Sequence, residues 1–189
     1  RDIEEVAYTW FNRFIALRYM EVNGYLPSRI RVFSNENGAF EPEILKEAAY
    51  LDYANKDTVF EYIDNQDNEG LFKYLIIAQC NALNAKLPGM FETINNYTEL
   101  LFPNKLMSDD GVIAGMLSRI DETEWKDNIE IIGWLYQFYI SEKHEAVIDR
   151  LDGKTISKED VPAATQLFTT DWVVKYIVDN SLGRYWIER

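Results

Sequence analysis

Residues 68 to 89 read NEGLFKYLIIAQCNALNAKLPG, and their apolar pattern leaves little choice of architecture. At helical spacing Phe72, Ile76, Cys80, Leu83 and Leu87 form one stripe, and Leu71, Leu75, Ala78 and Ala82 form another beside it. A helix with so wide an apolar side must lie centrally, with other elements packed around it, until Pro88 and Gly89 break it. Cys80 falls inside that side and reads as a small buried hydrophobe rather than a nucleophile.

The same period recurs on both sides of this segment. In IEEVAYTWFNRFIALRYMEV, Ile3, Val6, Ala7, Trp10, Phe14 and Leu17 predict a long amphipathic helix that stops at Asn23-Gly24. Shorter helices are expected over PEILKEAAYL and over DTVFEYID, with Asp57 as the cap of the latter. YTELLFPNKLM reads as a short helix, and SDDGVIAGMLSRI as one capped by Ser108 or Asp109. A second long helix follows from Ile129, Ile132, Tyr136, Tyr139, Ile140, Val147 and Leu151. The run PSRIRVFSNENG is short and β-branched, so a strand near 29–33 and a plain loop are both open. The expected fold is all-α, a multi-helix orthogonal array or bundle of about eight helices, with at most that one short β element. The shift to small and polar residues in DGKTISKEDVPAATQLF places a boundary between a helical domain, 1–155, and a linker with one further helix, 156–189. Within that shift, Ser157 followed by Asp160 resembles a helix start.

Composition narrows the function classes. The net charge of −13 repels a phosphate backbone. The charge is uneven, however, because residues 1–31 hold five arginines against four acids. Arg13, Arg18, Arg29 and Arg31 are therefore the one basic cluster that could touch nucleic acid, although pairing with nearby glutamates is the commoner fate of such groups. One histidine and one cysteine, His144 and Cys80, supply neither a zinc site nor a hydrolase triad. His144, among charges in SEKHEAV, reads as a solvated surface residue. A single cysteine fits a reducing compartment, the cytoplasm. No apolar run reaches the roughly 20 residues that span a bilayer, and no membrane or metal partner is expected. The start, RDIEEVAYTW, carries neither an initiating Met nor a leader, which reads as a chain trimmed from something longer.

In FTTDWVVKYIVDNSLG, Thr169 or Thr170 can cap a helix, with Asp171 in its first turn. Trp172, Val173, Tyr176 and Ile177 then give an apolar side, and Gly183 a stop. A hydroxyl-rich loop that runs into a helix points free amides at any approaching anion.

The run PAATQLFTTDWVVKYIVDNSLGRYW resembles the corresponding stretch of the PglX family, the adenine-specific DNA methyltransferases of BREX phage-defence systems, and of related large restriction-modification methyltransferases. VAYTWFNRFIALRYMEVNGYLPSRIRVFS, LIIAQCNALNAKLPGMFE, YTELLFP and IEIIGWLYQFY resemble that family's amino-terminal helical region, so the likeness covers nearly the whole chain. It implies that QLFTT belongs to the pocket for the methionine end of S-adenosylmethionine. Phe168 would then pack on the cofactor, Thr169 and the following amides would face its carboxylate, and Gln166 would support the loop. Thr170 stands where the family more often has Pro, which would have fixed the helix's first φ and spared an amide. The glycine-rich cofactor loop of the DPAxGSG type and the catalytic NPPY are both missing from these 189 residues, so the chain alone should be inactive and should not bind the cofactor. The resemblance implies a non-catalytic domain that supports a methyltransferase domain and its engagement of DNA. The alternative is a regulatory scaffold that docks other defence-system proteins.

Overall fold

The computed structural model describes residues 2–92, 102–150, 155–158 and 160–189. Among the described residues every regular element is helical and there is no strand. The β-branched stretch 29–33 is irregular chain. Of the expected helix in YTELLFPNKLM, residues 97–101 lie outside the described residues, and the rest forms turns. The chain separates into two compact units, Arg1–Asp127 and Asn128–Arg189, so the composition shift near 156 falls inside the second.

The first unit is built on two long helices. Helix α1 (Asp2–Val22) ends where Gly24 takes φ +69°, a left-handed turn that glycine adopts without strain. Helix α2 (Glu43–Lys46) runs into a 3₁₀ turn (Ala48–Tyr50). Helix α3 (Lys56–Asp64) is capped by Asn55, whose side chain accepts the Thr58 amide at 3.1 Å. Asp57, the expected cap, sits instead in the first turn, where its charge complements the helix dipole. Helix α4 (Asn68–Asn84) is capped by Asp67 and packs against α2 and α3. It is the central element that its pattern demands, with Leu71, Phe72, Leu75, Ile76, Cys80 and Leu83 all buried. Leu87, beyond the helix end, is exposed.

Around α4 the core gathers Trp10, Phe14 and Leu17 of α1 with Phe33, Val59, Phe91 and Phe102. Trp10 meets Phe102 edge to face at 4.2 Å, and Phe14 meets Phe33 at 5.7 Å. Burying each such side chain contributes about 1.5–3 kcal/mol. Helix α5 (Val112–Arg119) starts at Gly111 and has no side-chain cap. The Ser108 hydroxyl is turned to the Asp110 carboxylate instead, so neither Ser108 nor Asp109 caps the helix. Helix α6 (Glu122–Trp125) packs on α1 through the fully buried Trp125.

In the second unit, helix α7 (Glu130–Asp149) carries the short α8 (Val161–Thr165) against it. Ser157 and Asp160 make the reciprocal contacts, the Ser157 hydroxyl donating to Asp160 at 2.8 Å and accepting its amide at 3.2 Å, but in a turn ahead of α8, whose N-cap is Asp160 with no side-chain capping bond. The expected stripe on α7 is only partly realised. Val147 is buried, Ile132, Tyr136 and Ile140 are half-buried, Ile129 and Tyr139 are exposed, and Leu151 lies outside the described residues, while Ile131, off the stripe, is buried. Helix α9 (Asp171–Val178) does not stop at Gly183. It continues through a π-helical turn (Asp179–Gly183) into α10 (Arg184–Ile187).

Candidate functional site

The loop 166–170 joins α8 to α9 and is held from below by α7. The Tyr136 hydroxyl donates to Gln166 Oε1, and Gln137 Oε1 accepts the Phe168 amide at 3.2 Å. The Phe168 ring packs edge to face on Trp134, with centroids 5.3 Å apart. It also lies directly over Gly133, where a Cβ would overlap it. Glycine at 133 is thus what lets the ring approach the helix backbone. Gln166 and Thr169 are on the surface, whereas Phe168 and Thr170 are half-buried. His144 is not simply solvated. Its Nδ1 lies 2.7 Å from the Ala163 carbonyl, so the proton sits on Nδ1 and pins α8 to α7.

Thr170 is the N-cap of α9, but its side chain makes no capping bond. The Glu130 carboxylate instead accepts the Asp171 amide, placing an anion at the helix start, where the dipole favours one. Among the described residues the Trp172 amide has no acceptor. Thr169 presents a surface hydroxyl and Thr170 one that caps nothing, beside the Glu130 carboxylate that already holds the Asp171 amide. Lys175 and Asp171 pair at 2.5 Å one turn apart, and that hydrogen bond is the main cause raising the lysine's pKa.

The four arginines of the first unit do not form a surface patch. Arg13 and Arg18 are 2% and 1% exposed, which removes both from reach of a phosphate in this conformation. Arg13 Nη2 donates to the Glu92 carbonyl at 2.6 Å, and the guanidinium lies 5.2 Å from the Trp10 ring. Its Nε and Nη1, and Arg18 Nε, are buried without a hydrogen-bond partner among the described residues. Desolvation lowers the Arg13 pKa. Arg18 Nη1 donates to Glu21 at 2.5 Å and to Ser34 at 2.9 Å, and its Nη2 donates to Glu122 at 3.1 Å. Arg31, half-buried, grips Glu122 with both Nη atoms at 2.8 and 2.9 Å. That grip holds the Glu122 carboxyl below its ordinary range. Only Arg29 is exposed, and its backbone sits at φ +58°. Burial pushes the Glu21 carboxyl up, opposed by Arg18 and by the amides of Val32 and Phe33, which it accepts at 2.6 and 2.8 Å.

Among the described residues no group of three or more His, Cys, Asp or Glu is placed to hold a metal ion. No helix of those residues is long and apolar enough to cross a membrane. Cys80 is fully buried, and burial pushes its thiol up to about 12, so it stays protonated and inert.

No protein-family model matches the chain. Curated proteins do. The adenine-specific methyltransferase BrxX of Escherichia coli O9:H4 (strain HS) is 43% identical over 193 residues, which is 98% of this chain and 15% of the relative. The adenine-specific methyltransferase PglX of Lacticaseibacillus casei (strain Zhang) is 43% identical over 199 residues, again 98% of this chain and 16% of the relative. The chain is homologous to one stretch of the BrxX and PglX methyltransferases. It spans about a sixth of their length, so the likeness reaches nearly all of this polypeptide and a small part of theirs.

Several residues that shape the BrxX/PglX-like loop carry little signal in the sequence. Glu130, Gly133, Tyr136 and Gln137 lie on α7, some 30 to 40 residues before the loop they brace. Their spacing, on successive turns of one helix, marks a shared face. Nothing local says that the face will be covered by a loop rather than by another helix.

Proposed function

We propose that this chain is the non-catalytic helical part of an adenine-specific DNA methyltransferase of a phage-defence or restriction-modification system, working in the cytoplasm. In that role it supports the S-adenosylmethionine-dependent domain and its engagement of DNA. The observation that carries the reading is 43% identity along 98% of the chain to two methyltransferases, each several times longer. The geometry of the loop supports it. Gln166, Phe168, Thr169 and Thr170 are presented by α7 at a helix start, where Glu130 now holds the Asp171 amide and would have to swing aside for the cofactor's carboxylate. When bound, the cofactor would supply the methyl group. The part of these residues is to receive its methionine end, Phe168 by packing and Thr169, Thr170 and the Trp172 amide by hydrogen bonding. The flipped adenine and the transfer itself need residues outside this chain.

The test pairs this chain with a longer protein that contains it. The chain alone should transfer no methyl group to DNA adenine and show no measurable affinity for S-adenosylmethionine. The longer protein should do both, and Phe168→Ala within it should weaken cofactor binding about tenfold, as loss of a packed aromatic does. Methylation by the chain alone, or unchanged affinity in the Phe168→Ala protein, would sink the reading.

A second reading, docking of other defence-system proteins, draws on a different observation. Along the last helices Trp172, Tyr176, Leu182, Trp186 and Ile187 are between 64% and 84% exposed. Apolar surface of that kind marks a place where polypeptide is covered by polypeptide. The acidic surface and the burial of Arg13 and Arg18 also favour protein over nucleic acid as the neighbour of the first unit.

A further inference from the structure

Helix α4 carries one residue that does not belong on its apolar side. Gln79 is 1% exposed, in line with Leu75, Ile76, Cys80 and Leu83. A buried amide is costly unless its donors and acceptor are used. Its Oε1 accepts the Tyr53 hydroxyl at 2.6 Å, whereas its NH₂ group donates to nothing among the described residues. The same side chain lines a cleft of about 330 Å³, together with Ser28, Tyr53 and Leu83, and with Asp52 and Lys86. Asp52 and Lys86 are exposed, with no ion pair to each other or to any described residue. Burial keeps the Tyr53 phenol protonated, raising its pKa, while Ser28 acts in the opposite sense.

We propose that this cleft binds a small zwitterion of amino-acid or dipeptide size. Its carboxylate would lie on the Gln79 NH₂ and the Lys86 ammonium, and its ammonium on Asp52. Each part follows from the chemistry present. The unused amide donors open onto the cleft floor, where an acceptor on the ligand can take the place of solvent. Lys86, in the turn just past the end of α4, selects an anionic one. The lone carboxylate at Asp52 selects a cationic group at the other end. Leu83 and Pro27 give the cleft an apolar wall, which suits a short aliphatic or aromatic side chain. The site lies wholly within the first unit and does not depend on the methyltransferase reading.

The test is calorimetric titration of the 189-residue chain at low salt with each free L-amino acid, with glycylglycine, and with their N-acetyl and amide derivatives. At least one free zwitterion should bind with Kd below about 1 mM and raise the Tm by mass action. Its N-acetyl and amide derivatives should bind at least about tenfold more weakly, as should the zwitterion to the surface variants Asp52→Asn and Lys86→Gln. Gln79→Leu should abolish binding, although it also removes the acceptor of the Tyr53 hydroxyl and can lower Tm on that account. If Gln79→Leu fails to fold, the two surface variants still decide the matter. The proposal is overturned if no zwitterion binds at about 10 mM, or if binding survives in both surface variants.

Discussion

Replacing Glu21 by Gln isolates the buried ion network that ties α1 to the loop after it. Glu21 Oε2 accepts the amides of Val32 and Phe33 at 2.6 and 2.8 Å, and Oε1 accepts Arg18 at 2.5 Å and the Ser34 hydroxyl at 3.3 Å. A glutamine of the same shape has one oxygen and one NH₂, so in either orientation its donors face donors. Loss of one partner from a buried pair costs about 3–5 kcal/mol. Arg18 keeps Glu122 and Ser34, which places the expected loss at the low end, about 3 kcal/mol. With a urea slope of about 2 kcal/mol/M, that is a fall of roughly 1.5 M in the unfolding midpoint. Urea titration followed by tryptophan fluorescence reads it out, because Trp10 and Trp125 are buried in this unit. The control is Glu41→Gln, whose partner Lys46 is 3.3 Å away in a pair more than half exposed on both sides, where solvent screens the attraction and little stability is at stake. If Glu21→Gln unfolds within about 0.3 M of the control, the buried carboxylate does not organise the loop and the account of these arginines fails.

Other expectations follow from the same contacts. Gly133→Ala should push Phe168 off α7 and destabilise the second unit by about 1–3 kcal/mol, seen as faster amide exchange at Phe168 and Asp171 with the first unit unchanged. Glu122 is held below its ordinary pKa chiefly by the Arg31 hydrogen bond. Its contribution is therefore complete above the unfolded value of about 4.3 and is lost as pH falls through the lowered folded value. The stability gap between the wild-type chain and Glu122→Gln should be flat above about pH 6 and close in acid, and a gap that widened on acidification would reverse the assignment. Cys80, with its thiol raised to about 12, should resist a thiol reagent at about pH 8 in the folded chain and react at once in urea; labelling of the folded chain would show the core to be open.

The central position of α4 was legible because it rests on periodicity alone. Six residues of its two stripes are buried as the spacing demands, and α1 stops at the glycine that punctuates it. What misled were places where a short polar side chain had more than one backbone group within reach. Asn55 outcompeted Asp57 as a cap. Ser108 turned to Asp110, leaving Gly111 to start α5. Gly183 failed to end its helix because a π turn absorbs it without a left-handed φ. At the arginine cluster the local count of charges was right and the inference to a surface was not. Arg18 does pair with a near glutamate, Glu21, but Glu92 and Glu122, which hold Arg13 and the other side of Arg18, lie 79 and 104 residues away, a separation that composition cannot see. For the loop at 166–170, the resemblance named the residues, and only the fold shows Glu130 already standing at the helix start.

The π turn at Asp179–Gly183 adds a residue to one rung and so rotates everything after it. Trp172 and Tyr176 therefore leave the rod in one direction and Tyr185, Trp186 and Ile187 in others, each more than half bare. A rod greasy along a single seam can be shelved on a flat neighbour; one greasy around its girth has to be sheathed. A partner that covered these side chains would have to wrap them like a socket around a dowel, and the chain on its own should clump as its concentration rises.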